Sequence, residues 1–436
     1  MNRAVALTRK SLPVVVLYIG MGLSPLLVEP AYLGYLAAYS LFVFMCAQPL
    51  LSLQSGSFRQ SPMLVGWVTL AIVATLVTLL AKPGLRDLVR DVGAIGSFLF
   101  GLFVIPRALG RDWERPLFAA LSALAVIVAL WTIFGATRAY LAGAAAYEWR
   151  GVYVPYANTW LPYLIVAEYI RSRSGADIRV SVVRIALCVL ALLLSLSRTG
   201  IALIAFFGAI IFLFNARRWL LTGRGLALTA TAVVAAALIL PRLWGLDVVQ
   251  QRVAAGLGSS DLSLGWRAME QTAAINFLND GGWRRWLFGY GVGAQMPLPI
   301  GIVDFAGNPT IPHLHNSYWT LTLKFGILGT LWILFSLGML FLRANLVRGG
   351  LPALRVGGSW ILLLVMGTAI TLQGMSEWSH LTFLGLACAM LSKAAHSPRL
   401  SRVGQSQVST RPSPAREQAA AFQGGGHQGK PVGDAR

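Results

Sequence analysis

Long apolar stretches are the feature that most constrains this chain. A helix of about 20 predominantly apolar residues crosses the hydrocarbon core of a bilayer, and such windows recur along the sequence. We place them at residues 12–28, 31–53, 61–81, 91–107, 116–137, 155–170, 181–197, 199–216, 220–240, 315–342, 358–374 and 379–395. The sequence therefore predicts an all-α polytopic membrane protein with about twelve transmembrane helices.

The composition supports a bilayer environment and argues against a nucleic-acid-binding protein. Of the 436 residues, 56% are hydrophobic and 12% are charged, which leaves too little polar surface to cover a soluble core. The net charge of +20 would suit nucleic acid if the basic residues clustered on one wet face. They lie between the apolar windows instead, so we expect no nucleic-acid partner.

Arginine placement indicates the orientation of the chain. If Arg3, Arg9 and Lys10 are cytoplasmic, most arginines of the short loops fall on the same side, as the positive-inside rule requires. Both termini are then cytoplasmic. No small-residue cleavage pattern follows the first window, so we expect that window to stay as a helix and not to be a signal peptide.

The longest segment outside is then 241–314, and it defines the predicted domains. Its apolar residues recur close to a helical period at Leu264, Ala268, Met269, Thr272, Ile275 and Leu278, which predicts an amphipathic helix on the periplasmic surface. We expect transmembrane helices 1–9 in 1–240, a periplasmic loop domain in 241–314, helices 10–12 in 315–395, and a disordered basic cytoplasmic tail in 396–436.

Three cysteines fall inside predicted spans, at positions 46, 188 and 388. A thiol there usually packs as a small apolar group. We expect neither a disulfide nor a metal role for Cys46, Cys188 and Cys388.

Four polar residues outside the membrane are candidates for a ligand site. Arg198, in "SLSRTG", lies in a short connection between two spans, where an arginine either meets an anion or reaches lipid phosphate. Arg267, in "GWRAME", either holds diphosphate oxygens in its fork, or lies on a solvated helix face or pairs with Glu270. Arg150 and Asn158 precede the sixth window, where Asn158 either binds a ligand or satisfies the nearby backbone.

Two histidines, His313 and His315, lie at the entry to the tenth window. Tyr318, Trp319 and Thr322 follow His315 at i+3, i+4 and i+7, which predicts that they share its side of a helix. A neutral imidazole can take a proton from a sugar hydroxyl, and aromatic rings suit the apolar faces of sugars. His313 taken alone is better explained as a satisfied interface residue.

Lys324 is the one cation deep in this window, about 13 Å along the helix from His315. It pairs with Glu168 or another polar group, or it touches a lipid phosphate. Gly326 and Gly329 indicate close helix packing more than a ligand site. The stretch "FGYGVG", residues 288–293, lacks the strand and helix of a nucleotide fold, so we interpret it as a turn.

Several of these motifs occur in one order and together resemble the O-antigen ligase and polymerase superfamily. They are "SRTG", "RGVYVPYAN", "GWR", "GYGVG" and "HNSYWTLTLKFGILG". The most specific part is the His-Asn pair at His315 and Asn316, with glycines eleven and fourteen positions after His315. The resemblance implies a metal-independent, cofactor-free membrane glycosyltransferase with a periplasmic active site in the bacterial inner membrane. Its substrates would be an undecaprenyl diphosphate-linked O-antigen and a lipid A-core acceptor, both met among membrane lipids.

The resemblance also implies roles for the candidate residues. His315 would be the general base, and Arg198 and Arg267 would stabilise the diphosphate leaving group, with inversion at the anomeric carbon. The substrate-binding candidates are Arg150, Asn158, His313, Asn316, Tyr318, Trp319 and Lys324. His313 departs from the family's single histidine and either shares the proton or lines the cleft.

Other functions stay open at this point. An O-antigen polymerase and an O-linked protein oligosaccharyltransferase belong to the same superfamily. One large outside loop, accompanied by a smaller one at 138–155, favours the ligase. A transporter or lipid flippase would have repeated halves with broken helices and charges near the midplane, whereas the polar residues here gather at the outer edge.

Overall fold

A computed structural model of the chain describes residues 2–51, 84–110, 112–145, 148–173, 177–206, 262–299, 307–346, 352–371 and 377–396, with a few isolated residues between them. Within these ranges the protein is mostly helical. The helices are α1 (Asn2–Leu27), α2 (Ala31–Met45), α3 (Ala47–Leu51), α4 (Leu85–Leu99), α5 (Ile105–Leu109), α6 (Glu114–Leu141), α7 (Leu161–Arg173), α8 (Ile178–Leu194), α9 (Leu262–Asp280), α10 (Gly282–Phe288), α11 (Ser317–Leu346), α12 (Pro352–Thr371) and α13 (Trp378–His396). Two short strands, β1 (Met296–Pro297) and β2 (Thr310–Ile311), lie between α10 and α11.

Shorter helical turns complete the description. A π-helical segment, Phe100–Val104, joins α4 to α5. A second π-helical turn, Trp149–Tyr153, and a 3-10 turn, Tyr156–Trp160, precede α7. Residues 198–206 form a further helix after α8.

Five helical stretches within the described ranges are long and apolar enough to cross a membrane. They are Val5–Leu27, Leu85–Leu109, Glu114–Leu141, Ser317–Leu346 and Pro352–Ile370. Each coincides with a predicted window, and the chain is a multi-pass membrane protein. Twelve spans remain a prediction, because the window 220–240, most of 61–81, eight of the eighteen residues of 199–216 and nearly all of the predicted tail at 396–436 lie outside the described residues.

An aromatic core joins the first helix of the bundle to the last. The ring of Tyr18 in α1 packs edge-on against Trp160, with centroids 5.3 Å apart, and lies 4.8 Å from the ring of Phe383 in α13. All three side chains are buried. α4 approaches α13 closely because position 385 is a glycine: a Cβ there would lie 2.1 Å from the carbonyl oxygen of Phe98. The other elements therefore rest on a tightly packed bundle.

α9, α10 and the two strands form a small loop domain, which we define as residues 262–314. The strands pair antiparallel, with Met296 opposite Ile311. The core of the domain is made by Ala273, Ala274, Met296, Leu298, Ile311 and Leu314, together with Leu323 of α11. The helix predicted from the apolar period is present as α9.

The buried face of α9 differs from the predicted one. Ala268 and Thr272, which were expected on the apolar side, are exposed, whereas Ala273, Ala274 and the charged Glu270 are buried. The segment contains many small and polar residues, so its apolar period is weak. Contacts with the strands and with the partners of Glu270 decide which face turns inward.

α11 is broken at Gly326, which has φ +68° and ψ −179°. The "FGYGVG" turn docks against this break: Tyr290 N–H donates to the Leu323 carbonyl over 2.8 Å, and Gly291 N–H donates to the Lys324 carbonyl over 3.0 Å. Carbonyls next to a helix break need such external donors. A Cβ on Gly326 would lie 2.1 Å from a carbonyl oxygen of α10. The stretch is therefore the turn that we predicted, and the glycine step is a helix break against α10.

Candidate functional site

His315 lies in the loop directly before α11 and faces a carboxylate of α9. Its Nδ1 is 2.9 Å from Oε1 of Glu270, and its backbone N–H donates to Oε2 of the same residue, also over 2.9 Å. The indole N–H of Trp266 donates to Oε1 of Glu270 over 2.6 Å. Glu270 is buried, whereas the His315 side chain is 33% exposed. A buried carboxylate that accepts several hydrogen bonds therefore holds an imidazole that is partly exposed.

The contact with Glu270 determines the roles of the two ring nitrogens of neutral His315. An ionised carboxylate only accepts hydrogen bonds, so Nδ1 carries the proton and Nε2 carries the lone pair. An imidazole held in this tautomer can accept a proton at Nε2 from a hydroxyl group. The neighbouring carboxylate then stabilises the positive charge that forms on the ring.

Hydrogen bonds on both sides of His315 hold its loop. The side-chain oxygen of Asn316 accepts from the Tyr318 N–H over 3.0 Å, which is how an N-cap residue satisfies the first turn of a helix. Leu314 N–H donates to the Thr320 hydroxyl oxygen over 2.9 Å. The described contact of Asn316, a predicted substrate ligand, is therefore a cap on α11.

The helical face predicted to run from His315 through Tyr318 and Trp319 does not form, because α11 begins two residues after the histidine. Tyr318 turns towards α12, where its hydroxyl donates to the Met366 carbonyl over 2.8 Å. Trp319 turns towards the loop domain and packs edge-on against Trp286, with centroids 6.4 Å apart. The two aromatic residues therefore diverge, and Trp319 alone borders the loop-domain core.

His313 belongs to a second polar cluster, centred on Asp91 of α4. Lys324 donates to Oδ2 of Asp91, the Gly293 N–H donates to the same oxygen over 2.7 Å, and Arg90 Nε donates to Oδ1 over 2.9 Å. The ring of His313 lies between the two charges, with Nε2 3.6 Å from Asp91 Oδ1 and Nδ1 3.4 Å from Lys324 Nζ. Burial and the neighbouring Lys324 hold the pKa of His313 well below its ordinary value of 6.5, so this ring is neutral at pH 7.

This cluster also supplies the partner of Lys324. The sequence left Glu168 open as one choice, but Glu168 lies 3.5 Å from Arg171 and 3.4 Å from Arg184. Lys324 is buried and bound to Asp91. Its charge therefore has a carboxylate partner inside the protein.

Arg267 lies on the turn of α9 that carries the contacts of His315. It directly follows Trp266 and precedes Glu270 by three residues. Residues three apart on a helix are neighbours on its surface. Arg267 therefore lies on the same helical turn as Glu270, the residue that contacts His315.

Arg198 begins the helix 198–206, and that helix packs on α12. A Cβ added to Gly367 of α12 would lie 2.7 Å from Leu203 Cδ2. The adjacent residue of α12, Met366, accepts the hydrogen bond from Tyr318. The Arg198 helix and the first turn of α11 therefore meet neighbouring residues of α12.

Arg150 and Asn158 lie in the turns before α7. Arg150 is part of the π-helical turn whose first residue, Trp149, donates its indole N–H to the Leu194 carbonyl over 2.8 Å. Leu194 is four residues before Arg198, so the segments of the two arginines are linked. Asn158 is buried in the 3-10 turn within the bundle. The segments of Arg150 and Arg198 are thus connected to each other, and α12 connects the Arg198 helix to the first turn of α11.

Sequence reasoning missed two carboxylates that organise these clusters. Glu270 was considered as a partner for Arg267, and Asp91 was not considered. A usable signal existed for Glu270, since it is the single acidic residue between positions 262 and 279. Asp91 is about 200 residues from its partners Gly293 and Lys324, and no local spacing reveals such a contact.

In the described part of the chain, no group of three or more His, Cys, Asp and Glu side chains is arranged to hold a metal ion. Cys46, Cys188 and Cys388 are buried free thiols. Their burial agrees with the predicted packing role.

A family model described as O-antigen ligase matches residues 184–335. Residues 184–335 are therefore similar to the O-antigen ligase family. The match confirms the resemblance drawn from the motifs and supports a membrane glycosyltransferase of the ligase and polymerase type. The matched region includes Arg198, Arg267 and His315, whereas Arg150 and Asn158 precede it. A search of curated proteins found no match to the chain.

Proposed function

We propose that this protein is an O-antigen ligase, which transfers a glycan from undecaprenyl diphosphate to a sugar hydroxyl of lipid A-core and so completes lipopolysaccharide. The observation that carries the proposal is the His315–Glu270 pair inside the region that matches the family. A partly exposed imidazole with a carboxylate at Nδ1 is suited to removing a proton from a hydroxyl.

In the proposed step, the acceptor oxygen bonds to the anomeric carbon of the donor glycan. The bond between that carbon and the diphosphate oxygen breaks, and its electron pair leaves with the diphosphate. The hydroxyl proton passes to Nε2 of His315. Direct attack from the face opposite the carrier inverts the anomeric centre. Side chains, and not a metal, remove the proton and stabilise the leaving group in this proposal.

The leaving group is where negative charge develops, and arginine is the residue type that binds such groups best. A guanidinium presents several donors in a fixed fork and stays charged. Preorganised cations at the developing charge stabilise the transition state. We assign this role to Arg198 and Arg267, with Arg150 as an additional contact.

Glu270 is the positioning residue in this proposal. It touches no reacting atom, and it holds His315 through Nδ1 and through the backbone N–H. Without it, either ring nitrogen of His315 would be free to carry the proton. Glu270 therefore acts by keeping the lone pair on Nε2.

We place the reaction at the periplasmic face of the bacterial inner membrane, with both termini in the cytoplasm. This placement follows the arginine bias of the short loops. Both substrates carry lipid tails, so they would enter laterally among membrane lipids while their sugars meet beneath the loop domain.

Transfer by the purified protein is the direct test. The protein in detergent is mixed with carrier-linked glycan and lipid A-core from the source organism, and the products are separated by gel electrophoresis. We expect polymer to appear on the lipid A-core. A transporter would give no transfer without compartments, and that result would contradict the proposal.

Deletion of the gene separates the ligase from its relatives. For a ligase, we expect lipid A-core without polymer and glycan retained on the carrier. Lipopolysaccharide that carries a single repeat unit would indicate a polymerase instead. Normal lipopolysaccharide with unglycosylated proteins would indicate an O-linked protein oligosaccharyltransferase.

A further inference from the structure

We propose a carbohydrate-binding subsite between α4 and the loop domain, separate from the His315–Glu270 pair. It is a pocket of about 250 Å³, slightly smaller than the 300–1,000 Å³ that sites for drug-sized ligands occupy. Its lining is Gly84, Asp87, Phe277, Tyr290, Val292, Gly293, Ala294 and Gln295. The inference deepens the proposed function, because the glycan it would hold is a substrate of that reaction.

The polar wall of the pocket pairs a carboxylate with an amide. Gln295 Nε2 donates to Asp87 Oδ2 over 2.6 Å, and Arg90 donates to Asp87 Oδ1 over 2.7 Å. The Thr310 hydroxyl donates to the Gln295 amide oxygen, which defines how the amide is turned. A carboxylate has about four lone-pair sites and an amide nitrogen has two N–H groups. Both side chains therefore keep hydrogen-bonding capacity for the hydroxyl groups of a ligand.

Another part of the lining is aromatic, and its rings are held by several contacts. The rings of Phe277 and Tyr290 stack with centroids 4.1 Å apart and an interplanar angle of 11°. The Tyr290 hydroxyl donates to the Phe277 carbonyl over 2.6 Å, and the Arg285 guanidinium lies 4.6 Å from the Tyr290 ring centroid. The stacked pair therefore gives an apolar part to the lining that also contains Asp87 and Gln295. A pyranose ring has the same division, with C–H faces and a rim of hydroxyl groups.

The lining disfavours other classes of ligand. It contains one carboxylate and, among the described residues, neither lysine nor arginine, so a phosphate or nucleotide anion would find no cationic side chain on the lining to bind it. A single carboxylate is too few ligands for a calcium ion, which takes six to eight oxygen atoms. An alkyl chain would bury Asp87 and Gln295 against hydrocarbon, which is costly. A neutral sugar satisfies both walls.

The pocket is placed to hold a glycan whose end reaches His315. Phe277 follows Glu270 by seven residues, so the two lie on one face of α9 and about 10 Å apart along its axis. An oligosaccharide lying along α9 would contact the pocket with one unit and present another to the base. The glycan is either the donor O-chain or the acceptor core oligosaccharide.

The test is binding of free oligosaccharides to purified protein, measured by saturation-transfer NMR. Mild acid releases the polysaccharide part of the source organism's lipopolysaccharide, and the O-chain and core fractions are tested separately. The measurements use His315→Ala protein, so that binding is observed without turnover. Absence of binding would then contradict the subsite proposal, whereas glycan transfer by His315→Ala protein would contradict the proposed function of His315.

Ala294→Phe fills the pocket, and Ala268→Phe is the matched control because Ala268 is exposed on α9. We expect one fraction to bind, with affinity at least about tenfold weaker in Ala294→Phe and unchanged in Ala268→Phe. Binding of the O-chain assigns the subsite to the donor, and binding of the core assigns it to the acceptor. If Ala294→Phe does not fold, Phe277→Leu replaces it with the same expectation. Absence of binding by both fractions, or equal binding by wild type and the pocket variants, would overturn the proposal.

Discussion

Two histidines separated by one residue lie in opposite environments. The His315 side chain is 33% exposed and contacts a single carboxylate, whereas His313 is 12% exposed and lies between Lys324 and Asp91. Lys324 and burial both disfavour a proton on His313. His315 is therefore suited to proton transfer, whereas His313 is suited to remain an uncharged, packed side chain.

The difference shows that proximity to a site does not make an imidazole a base. A general base needs an acceptor nitrogen within reach of substrate and a partner that stabilises the protonated ring. Glu270 meets the second need for His315. At His313, the carboxylate of Asp91 is already shared by Lys324, Arg90 and the Gly293 N–H.

The largest expected effect is loss of the base. His315→Ala should lower the rate of transfer by about 10²- to 10⁴-fold, the usual contribution of general acid–base catalysis. His313→Gln should lower it much less, because a neutral amide can take the place of a neutral ring. The rate of polymer transfer to lipid A-core measures both variants. Equal losses would show that the distinction between the two histidines is wrong.

A smaller loss is expected when the carboxylate behind His315 is neutralised. In Glu270→Gln, the new amide N–H can donate to Nδ1, which would move the proton to Nε2 and remove the lone pair from the reactive side. We expect transfer to slow by about 10- to 100-fold, less than for removal of the base itself.

Two further variants separate this positioning effect from a packing effect. Trp266→Phe removes one donor to Glu270 but keeps the carboxylate, so we expect it to retain most activity. Glu270→Asp should recover part of the rate that Glu270→Gln loses. A purely structural role for Glu270 predicts instead that the loss of activity follows the loss of folded protein, as judged by gel filtration, and that the pH profile of the remaining activity is unchanged.

The helical class of the fold was predictable because its signal is local. Apolar windows of span length require helices in a bilayer, and the stretch at 317–346 is one of those that the structure bears out. The face of α9 was not predictable, since its small and polar residues satisfy more than one helical period. The break at Gly326 depends on a turn more than thirty residues earlier, which no local pattern encodes.

The candidate site shows the same limit. His315 was identified because a motif places it at the mouth of a span. Its partner Glu270 lies 45 residues earlier and was not assigned to it. The expectation that Tyr318 and Trp319 share its side assumed a helix through His315, but the Asn316 cap begins the helix later. Tertiary contacts, and not spacing, decide which groups face the imidazole.

The cluster around His313 should contribute to stability more than to catalysis. Removing one partner of a buried ion pair costs about 3–5 kcal/mol, because the other charge stays buried. We therefore expect Lys324→Met to lower the thermal unfolding temperature in detergent, and Asp91→Asn combined with Lys324→Met to restore part of it. At temperatures where Lys324→Met is folded, it should keep transferring glycan. A stable but inactive Lys324→Met would place this lysine with the phosphate-binding residues instead.

The smallest effect is a dependence of stability on pH that originates at His313. The pKa of its folded form is held well below 6.5, whereas the unfolded form titrates near 6.5. Between these two values the unfolded chain binds more protons, so the free energy of unfolding falls as pH is lowered. We expect the unfolding temperature to drop from about pH 7 to about pH 5, and to drop less in His313→Gln. His315→Ala is the control variant, and its unfolding temperature should drop as much as that of wild type. If the pH dependence of His313→Gln equals that of wild type, His313 is not held neutral by Lys324 and its surroundings, and the contrast between the two histidines loses its electrostatic basis.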